Sequence, residues 1–312
     1  MVFQTKNEKN IAVAVVAENF AMHYVRLHRW ASVYQVLGGE VFVGKGHPPC
    51  ICRASQIAQE KLSAIYDIVS NIKYKSRGSY MKVMSFNTQH CLNYIERKID
   101  FEIMAKTILD CGADVVGLNE MRGLGPDPEY AEQIEKLAKL TEMKYFYFAK
   151  AIDVPKKGPY GNAILSKIPI VNVKTVLIPD PERKAYSDHY ETRCILRAEL
   201  ESGVTVLITH FGLNLDEQEN AVETVIKTMT KKRCILMGDF NVVPEVPVLA
   251  PIKAKMKDTA EAFDMPKLSF PSDNPTKKID YIFVSKDIEV EDADIPSIVA
   301  SDHRPHIATL KI

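Results

Sequence analysis

From Met81 to the end of the chain, short apolar segments of strand length alternate with segments of helical periodicity, and no fixed-length repeat connects them. Short apolar runs bounded by turn residues are typical of buried strands, whereas apolar residues three and four positions apart indicate helices. Strands and helices mixed in this way favour two packed sheets flanked by helices over one doubly wound parallel sheet. We therefore predict an α/β two-sheet sandwich over residues 81–312.

The expected strands are 82–87, 114–118, 163–165, 171–178, 194–200, 204–209, 234–237, 281–284 and 307–312, and the expected helices are 101–109, 128–140, 216–229 and 246–255. Before residue 81 the pattern indicates a small α+β segment, with strands near 11–16 and 40–43 and a helix near 55–69. A basic, small-residue stretch at 73–80 marks the boundary. Residues 1–80 carry no motif that we can assign, so they are either an appended module or an over-extended gene start.

The charge of the chain is unevenly distributed although its formal net charge is zero. Residues 1–80 hold 10 Lys and Arg against 5 Asp and Glu, which leaves 30 against 35 in residues 81–312. Neutralising many phosphates of a long nucleic acid requires a cluster of basic side chains. The mildly acidic second part argues against such a surface, although a local basic groove is still an alternative.

The cysteines and the hydropathy bear on the compartment. Six cysteines are scattered without the paired spacing typical of zinc sites, and we interpret them as reduced, mostly buried thiols of a cytoplasmic protein. No apolar run approaches the roughly 18 residues of a membrane span. The apolar run at 11–17 is short and is followed by Glu18, which favours a strand over a signal peptide. We expect a monomer.

Several of the expected strands end in a polar side chain. They are Asn87, Glu120, His210, the Asp239 and Asn241 pair, Asp280, and the adjacent Asp302 and His303. Asp239 and Asn241 project to the same side because side chains alternate along a strand. Six such strand ends in one chain predict a common site.

Each residue alone has an ordinary alternative. Asn87 or Asp239 could be a turn or cap residue, and a lone His210 is more often structural than catalytic. Glu120 is harder to explain in this way, because a carboxylate beside the core needs a partner or a cation.

Seven stretches together resemble a known family. They are Ser85–Asn87, Leu118–Glu120, Tyr160–Ser166, Thr209–His210, Gly238–Asn241, Ile279–Ile282 and Ser301–His303. Residues 81–312 thereby resemble the endonuclease/exonuclease/phosphatase superfamily, which has the fold of deoxyribonuclease I. Its members cleave DNA, RNA, nucleotide tails, inositol phosphates or phospholipid head groups, so the resemblance implies phosphoester hydrolysis without fixing the substrate.

The resemblance also implies a metal site. Glu120 is the candidate principal ligand of Mg²⁺ or Mn²⁺, with Asn87 and Asp302 nearby, and such oxygen ligands suit these hard cations. His303 is the candidate general base, oriented by Asp280, because imidazole titrates near neutral pH.

The remaining candidates would act on the phosphoryl group. Asp239 would place the nucleophilic water or protonate the leaving group, and Asn241 and His210 would donate hydrogen bonds to phosphoryl oxygens. The general acid is left open between His210 and Asp239. Asn162 is a weaker candidate for substrate contact, with a turn as the alternative. Arg193 is a second one for phosphate, with an exposed salt bridge as the alternative.

These features predict a Mg²⁺-dependent phosphodiesterase or phosphomonoesterase whose substrate is a small molecule, a lipid head group or a nucleic acid. A nuclease on the same scaffold is the first alternative. The DNA-repair branch typically has tryptophan before the first asparagine, whereas this chain has Phe86. This difference makes a DNA-repair nuclease the less favoured interpretation. A catalytically silent binding protein is disfavoured because every expected ionisable position is occupied.

Overall fold

A computed structural model describes residues 80–126 and 132–312, together with the backbone of two short strands at 35–37 and 40–42. The chain divides into two units, Met1–Ser79 and Tyr80–Ile312. The strand expected near 40–43 is present at Glu40–Phe42, paired with Gln35–Leu37. The strand expected near 11–16 and the helix near 55–69 lie outside the described residues, so the role of the first unit stays a prediction.

In chain order the strands are β1 (Gln35–Leu37), β2 (Glu40–Phe42), β3 (Tyr80–Asn87), β4 (Val115–Arg122), β5 (Tyr145–Val154), β6 (Gly158–Ser166), β7 (Ile170–Leu177), β8 (Cys194–Leu200), β9 (Thr205–His210), β10 (Cys234–Asp239), β11 (Met256–Asp258), β12 (Asp280–Ser285), β13 (Glu289–Asp294) and β14 (His306–Lys311). The α-helices of the described residues are α1 (Phe101–Cys111), α2 (Gln133–Thr141), α3 (Leu215–Thr228) and the short α4 (Ala250–Lys253).

The second unit contains two mixed six-stranded sheets. The first has the order β13-β14-β3-β4-β6-β5 and the second the order β11-β12-β10-β9-β8-β7. Each sheet has one parallel pair at its centre, β3 with β4 and β9 with β10, and the other pairs are antiparallel. The predicted two-sheet sandwich of deoxyribonuclease I type is confirmed.

The two central pairs explain why polar strand ends converge. In the first sheet Asn87 is in register with Asn119, and in the second Asp239 is in register with His210. Parallel strands end at the same edge of a sheet, so each pair delivers two polar side chains together. The antiparallel β12 adds Asp280, whose register partner is Asp239.

The inner faces of the two sheets form a common hydrophobic core. Val83 and Val115 of the first sheet belong to the same buried cluster as Ile208 and Met237 of the second. At Gly117 the sheets approach so closely that a Cβ atom would lie 2.9 Å from both Ile208 Cγ1 and Met237 Sδ. This packing holds the two central strand pairs against each other, which is what brings their ends into one site.

The helices cover the outer faces. α1 and α2 pack on the first sheet and α3 on the second, each through a buried apolar stripe. Asp100 begins α1 by accepting a hydrogen bond from the Ile103 backbone N–H at 3.1 Å, and Gly112 ends it in the left-handed conformation. None of the helices in the described residues is long and apolar enough to cross a membrane.

The cysteines of the second unit agree with the expectation from the sequence. Cys91, Cys111, Cys194 and Cys234 are all buried and free. Burial raises the pKa of the Cys194 thiol to about 11, so this thiol is protonated near neutral pH.

Candidate active site

His303 and Asp280 form a buried pair at the edge of the second sheet. Nδ1 of His303 lies 2.8 Å from Oδ2 of Asp280, the first residue of β12. Both side chains are at most 5% exposed. Since a carboxylate only accepts hydrogen bonds, Nδ1 donates, and the second ring nitrogen Nε2 is the atom that faces the rest of the site. The sequence predicted this pairing, and the structure brings the two residues together.

Two carboxylates govern the charge on His303. Burial alone lowers the pKa of this imidazole, but Asp280 and then Asp239 outweigh burial and raise it to about 10. The ring also packs against Phe270, with centroids 4.8 Å apart. Without a cation nearby, the two carboxylates therefore favour the protonated form of His303.

Asp239 lies between the two histidines of the site. Its Oδ2 is 3.6 Å from Nε2 of His303 and 3.5 Å from Nε2 of His210. The preceding Gly238 has φ 150°, and a Cβ atom there would lie 1.8 Å from the Thr209 carbonyl oxygen, so only glycine permits this approach. Burial raises the pKa of Asp239 to about 7, with a further rise from Asp280 that His303 opposes. A carboxyl group with this pKa can both accept and donate a proton near neutral pH.

His210 is held as a neutral donor. Its Nδ1 is 3.2 Å from Nη1 of Arg193, and a guanidinium can only donate, so Nδ1 accepts and the ring proton resides on Nε2. Burial and then the positive charge of Arg193 place the pKa of His210 well below its usual range. Nε2 also lies 3.2 Å from Nδ2 of Asn241, but an amide nitrogen only donates, so this contact is not a hydrogen bond when Nε2 carries the proton; Nδ2 donates to the Phe211 carbonyl at 3.1 Å instead. His210 therefore presents a hydrogen-bond donor toward Asp239.

Glu120 projects into the site from an irregularity in β4. The pairing of β4 with β6 shifts register between Leu118 and Met121, and Glu120 there adopts φ 61°. Such bulges redirect a side chain, and a left-handed glutamate is a strained conformation of the kind that clusters at functional sites. Nδ2 of Asn87 donates to Glu120 Oε1 and to Asp239 Oδ2, both at 3.1 Å. Asn87 thus links the carboxylates of the two sheets.

Glu120 and Asp302 supply the oxygen ligands expected for a hard cation. Burial raises the pKa of Glu120, and the negative charge of Asp302, which lines the same cleft, raises it further. A divalent cation bound there would offset this like charge, and carboxylate oxygens are the ligands that Mg²⁺ prefers. The donor set therefore fits the predicted metal, with Asn87 orienting Glu120 through its N–H group in this arrangement.

A second cluster of side chains that could bind a metal ion contains Asp239, Asp280 and His303. Their potential ligand atoms lie within 4.8 Å of one another. Nδ1 of His303 is already engaged by Asp280, and the group contains a nitrogen donor that Mg²⁺ does not favour. We interpret this trio as the acid–base part of the site and the Glu120 region as the part that could hold Mg²⁺.

Asn119 is a site residue that the sequence analysis did not single out. Its Nδ2 donates to the Thr209 carbonyl at 2.9 Å and to Asn162 Oδ1 at 2.8 Å, and its Oδ1 accepts from the Asp239 N–H at 2.9 Å. It therefore ties β4 to the ends of β9 and β10. The sequence contained an indication of this role, because Asn119 directly follows the apolar run Val115–Leu118 and a buried amide must satisfy its polar atoms.

The two weaker candidates have different positions. Asn162 lies within β6 and is 2% exposed, and its Nδ2 donates to the Cys194 carbonyl at 2.9 Å. It therefore holds Asn119 in place through a hydrogen bond and does not line the cleft. Arg193 does line the cleft, and its Nη1 also pairs with Oε1 of Glu191 at 2.5 Å. This ion pair is mostly buried, with side chains 13% and 20% exposed, rather than the exposed pair considered as the alternative.

The site opens into a cleft of about 750 Å³. The polar residues that line it include Glu120, Arg193, His210, Asp239, Asn241, Asp302 and His303. Carboxylates for a cation, a buried Asp–His pair and hydrogen-bond donors around one cleft are the elements of a hydrolase that acts on an anionic ester.

The comparison with protein families agrees with this class. The model of the Endonuclease/Exonuclease/phosphatase family matches residues 84–303, and the chain belongs to this family. The family generally comprises hydrolases that act on phosphoester bonds. No curated protein sequence matches the chain.

Solved structures share the fold at low identity. An endonuclease/exonuclease/phosphatase from Beutenbergia cavernae DSM 12333 has a TM-score of 0.62 and 21% identity, over 75% of this chain and 72% of that one. The mannosyl-6-phosphatase of Bacteroides thetaiotaomicron VPI-5482 has a TM-score of 0.59 and 18% identity, over 74% and 100%. A humanized D. rerio TDP2 has a TM-score of 0.53 and 16% identity, over 75% and 99%. At these identities the likeness shows the fold alone.

Proposed function

We propose that the chain is a Mg²⁺- or Mn²⁺-dependent phosphoesterase that hydrolyses a phosphodiester or phosphomonoester by attack of water. The observation that carries the proposal is the buried His303–Asp280 pair at 2.8 Å, with Asp239 3.6 Å from the free ring nitrogen. With a cation bound, whose charge would oppose protonation of the ring, a neutral His303 oriented in this way could take a proton from a water molecule placed at Nε2. Asp280 would hold the tautomer and stabilise the imidazolium that forms.

The second half of the site supports the leaving group and the phosphoryl oxygens. Asp239 can return a proton to the leaving oxygen, because its pKa of about 7 populates the acid form near neutral pH. The Nε2–H group of His210 and the amide of Asn241 can donate to a phosphoryl oxygen as negative charge develops. In this division of roles Asp239 is the general acid and His210 is a donor.

The metal would be held by Glu120 and Asp302, with Asn87 beside them. A divalent cation held there would neutralise charge on the phosphoryl group, and its positive charge would lower the pKa of His303. Without a cation, two carboxylates of like charge, Glu120 and Asp302, line the same cleft.

A substrate panel tests the proposal. Plasmid DNA, RNA, bis-p-nitrophenyl phosphate, sphingomyelin and inositol phosphates are each incubated with the protein in EDTA, and then with excess Mg²⁺ or Mn²⁺. We expect hydrolysis of at least one phosphoester that chelation abolishes and metal restores. Full activity in excess EDTA would contradict the metal assignment, and hydrolysis of none of them would contradict the proposed function.

A further inference from the structure

The cleft has an apolar part that the proposed chemistry does not use. It is lined by Leu213, Val242, Val243, Val246, Phe270 and Ile279, which we call the apolar wall. Val242 and Ile279 are buried at its base, Val243, Val246 and Phe270 are partly exposed, and Leu213 is 47% exposed. Partly exposed apolar side chains in a concave site mark a surface that gains free energy when a ligand covers it.

The apolar wall adjoins the reacting groups directly. Val242 and Val243 follow Asn241 in the chain, and the Phe270 ring packs on His303 with centroids 4.8 Å apart. An ester whose phosphorus lies at His303 would therefore place one of its substituents against this wall. A substituent of that kind is buried with the phosphoryl group rather than extending into solvent.

The charges of the cleft limit the number of phosphates that it can hold. Among the residues that line it, the permanent cations are Arg193 and Lys277, against the acids Glu120, Asp188, Asp239 and Asp302. Arg193 is already engaged by Glu191 and His210, which leaves Lys277, an exposed residue whose backbone pairs with that of Phe270. A nucleic acid strand or a polyphosphorylated substrate brings further phosphates, and beyond the proposed cation and His303 at the reacting centre the lining residues offer only Lys277 to neutralise them.

We propose that the preferred substrate carries a single phosphate, one of whose ester groups is a hydrocarbon or aromatic group bound against the apolar wall. This inference rests on the proposed phosphoesterase function and deepens it. A hexyl chain would represent a lipid-like source of the apolar group and a phenyl ring an aromatic source. A nucleoside would offer a polar sugar to the same surface, so it is expected to bind less well.

The experiment compares esters that share one leaving group. Methyl, hexyl and phenyl p-nitrophenyl phosphates and thymidine 5′-p-nitrophenyl phosphate are assayed in Mg²⁺ for kcat/KM. Burying each methylene contributes about fourfold, so we expect the hexyl or phenyl ester to exceed the methyl ester by about tenfold or more even with partial burial. The larger of the hexyl-to-methyl and phenyl-to-methyl ratios of kcat/KM identifies whether the apolar group is lipid-like or aromatic.

Variants assign the effect to the wall. Val243→Thr combined with Val246→Thr keeps the side-chain size but adds hydroxyl groups, so the hexyl-to-methyl ratio should fall severalfold. The matched control is Val171→Thr, since Val171 is 62% exposed on β7 and does not line the cleft; its ratio should equal that of the unaltered protein.

Binding is measured separately from turnover, so that failure of this inference differs from failure of the proposed function. Calorimetric titration in Mg²⁺ with hexylphosphonate and methylphosphonate should show tighter binding of hexylphosphonate, whether or not any ester is hydrolysed. Equal binding of the two phosphonates, or a thymidine ester that is hydrolysed faster than both the hexyl and phenyl esters, would overturn the inference. Absence of turnover with tight hexylphosphonate binding would overturn only the proposed hydrolysis.

Discussion

Nη1 of Arg193 lies 3.2 Å from Nδ1 of His210, and this contact determines which nitrogen of the imidazole carries a proton. Because a guanidinium has no acceptor, Nδ1 is unprotonated and Nε2 bears the hydrogen. The same positive charge opposes a second proton on the ring, in agreement with the lowered pKa of His210. Arg193 thus acts through His210 and sets its role as a donor.

Removal of the Arg193 guanidinium should allow the ring proton of His210 to occupy either nitrogen. In Arg193→Leu we expect kcat/KM to fall by about 10- to 100-fold, somewhat less than the loss of a whole oxyanion donor. Nitrogen-15 NMR of the histidine rings should show His210 as the Nε2–H tautomer in the unaltered protein and as a mixture in the variant. Arg193→Lys, which keeps a charged donor, serves as the control. A protonated Nδ1 in the unaltered protein would refute the assignment.

Buried His306 should make stability fall in mild acid. Burial lowers the pKa of His306 to about 3, whereas an unfolded histidine titrates near about 6.5. Below pH 6.5 the unfolded chain binds a proton that the folded chain excludes, so stability is lost progressively as the pH falls from about 6.5 toward 3, by at most about 1.4 kcal/mol per pH unit for this group.

Denaturant unfolding at pH 7.5 and 5.0 measures this contribution. His306→Gln is expected to be less stable than the unaltered protein at pH 7.5, and the difference should shrink at pH 5.0. The matched control is His189→Gln, because His189 is exposed and its replacement should leave the pH dependence as it was. A stability difference that is the same at both pH values would show that His306 is not excluded from protonation by the fold.

The sequence predicted the centre of the fold better than its edges. The central strands carry continuous apolar runs because both faces are buried, and their polar ends were therefore recognisable. The strands of the two large sheets that were not predicted are β5, β11 and β13, and each is an outermost strand of its sheet. Edge strands are partly solvated and carry charges, as the acidic Glu289–Asp294 of β13 does, so no apolar run marks β13. β5 is different, because it begins with the aromatic run Tyr145–Phe148, a strand pattern that the prediction overlooked.

Two expected helices also differ from the structure for local reasons. The helix expected at 246–255 is divided into a 3₁₀ turn at Pro247–Leu249 and the short α4, since Pro251 lacks the N–H that a longer helix would need. The helix expected at 128–140 begins at Gln133, because Glu132 is left-handed. The left-handed Glu120 at its bulge is likewise a product of strand pairing and has no signature in the sequence.

The boundary between the two units allows a direct test of domain organisation. A chain that begins at Ser79 keeps β3 and every residue of the site, so we expect it to fold and to retain the kcat/KM of the full chain. Circular dichroism, thermal unfolding and turnover of the two proteins provide the comparison. If the shortened chain is insoluble, residues 1–78 complete the core of the second unit.

The central claim is that Glu120 holds the cation and His303 moves the proton, and Mg²⁺ titrations of turnover test it most directly. For Glu120→Gln we predict that half-maximal turnover requires more Mg²⁺ and that activity partly recovers at high concentration. For His303→Ala we predict a maximal turnover reduced by about 10²–10⁴-fold with little change in the Mg²⁺ requirement, and Asp280→Asn should resemble it. Rescue of His303→Ala by Mg²⁺, together with no rescue of Glu120→Gln, would contradict the account.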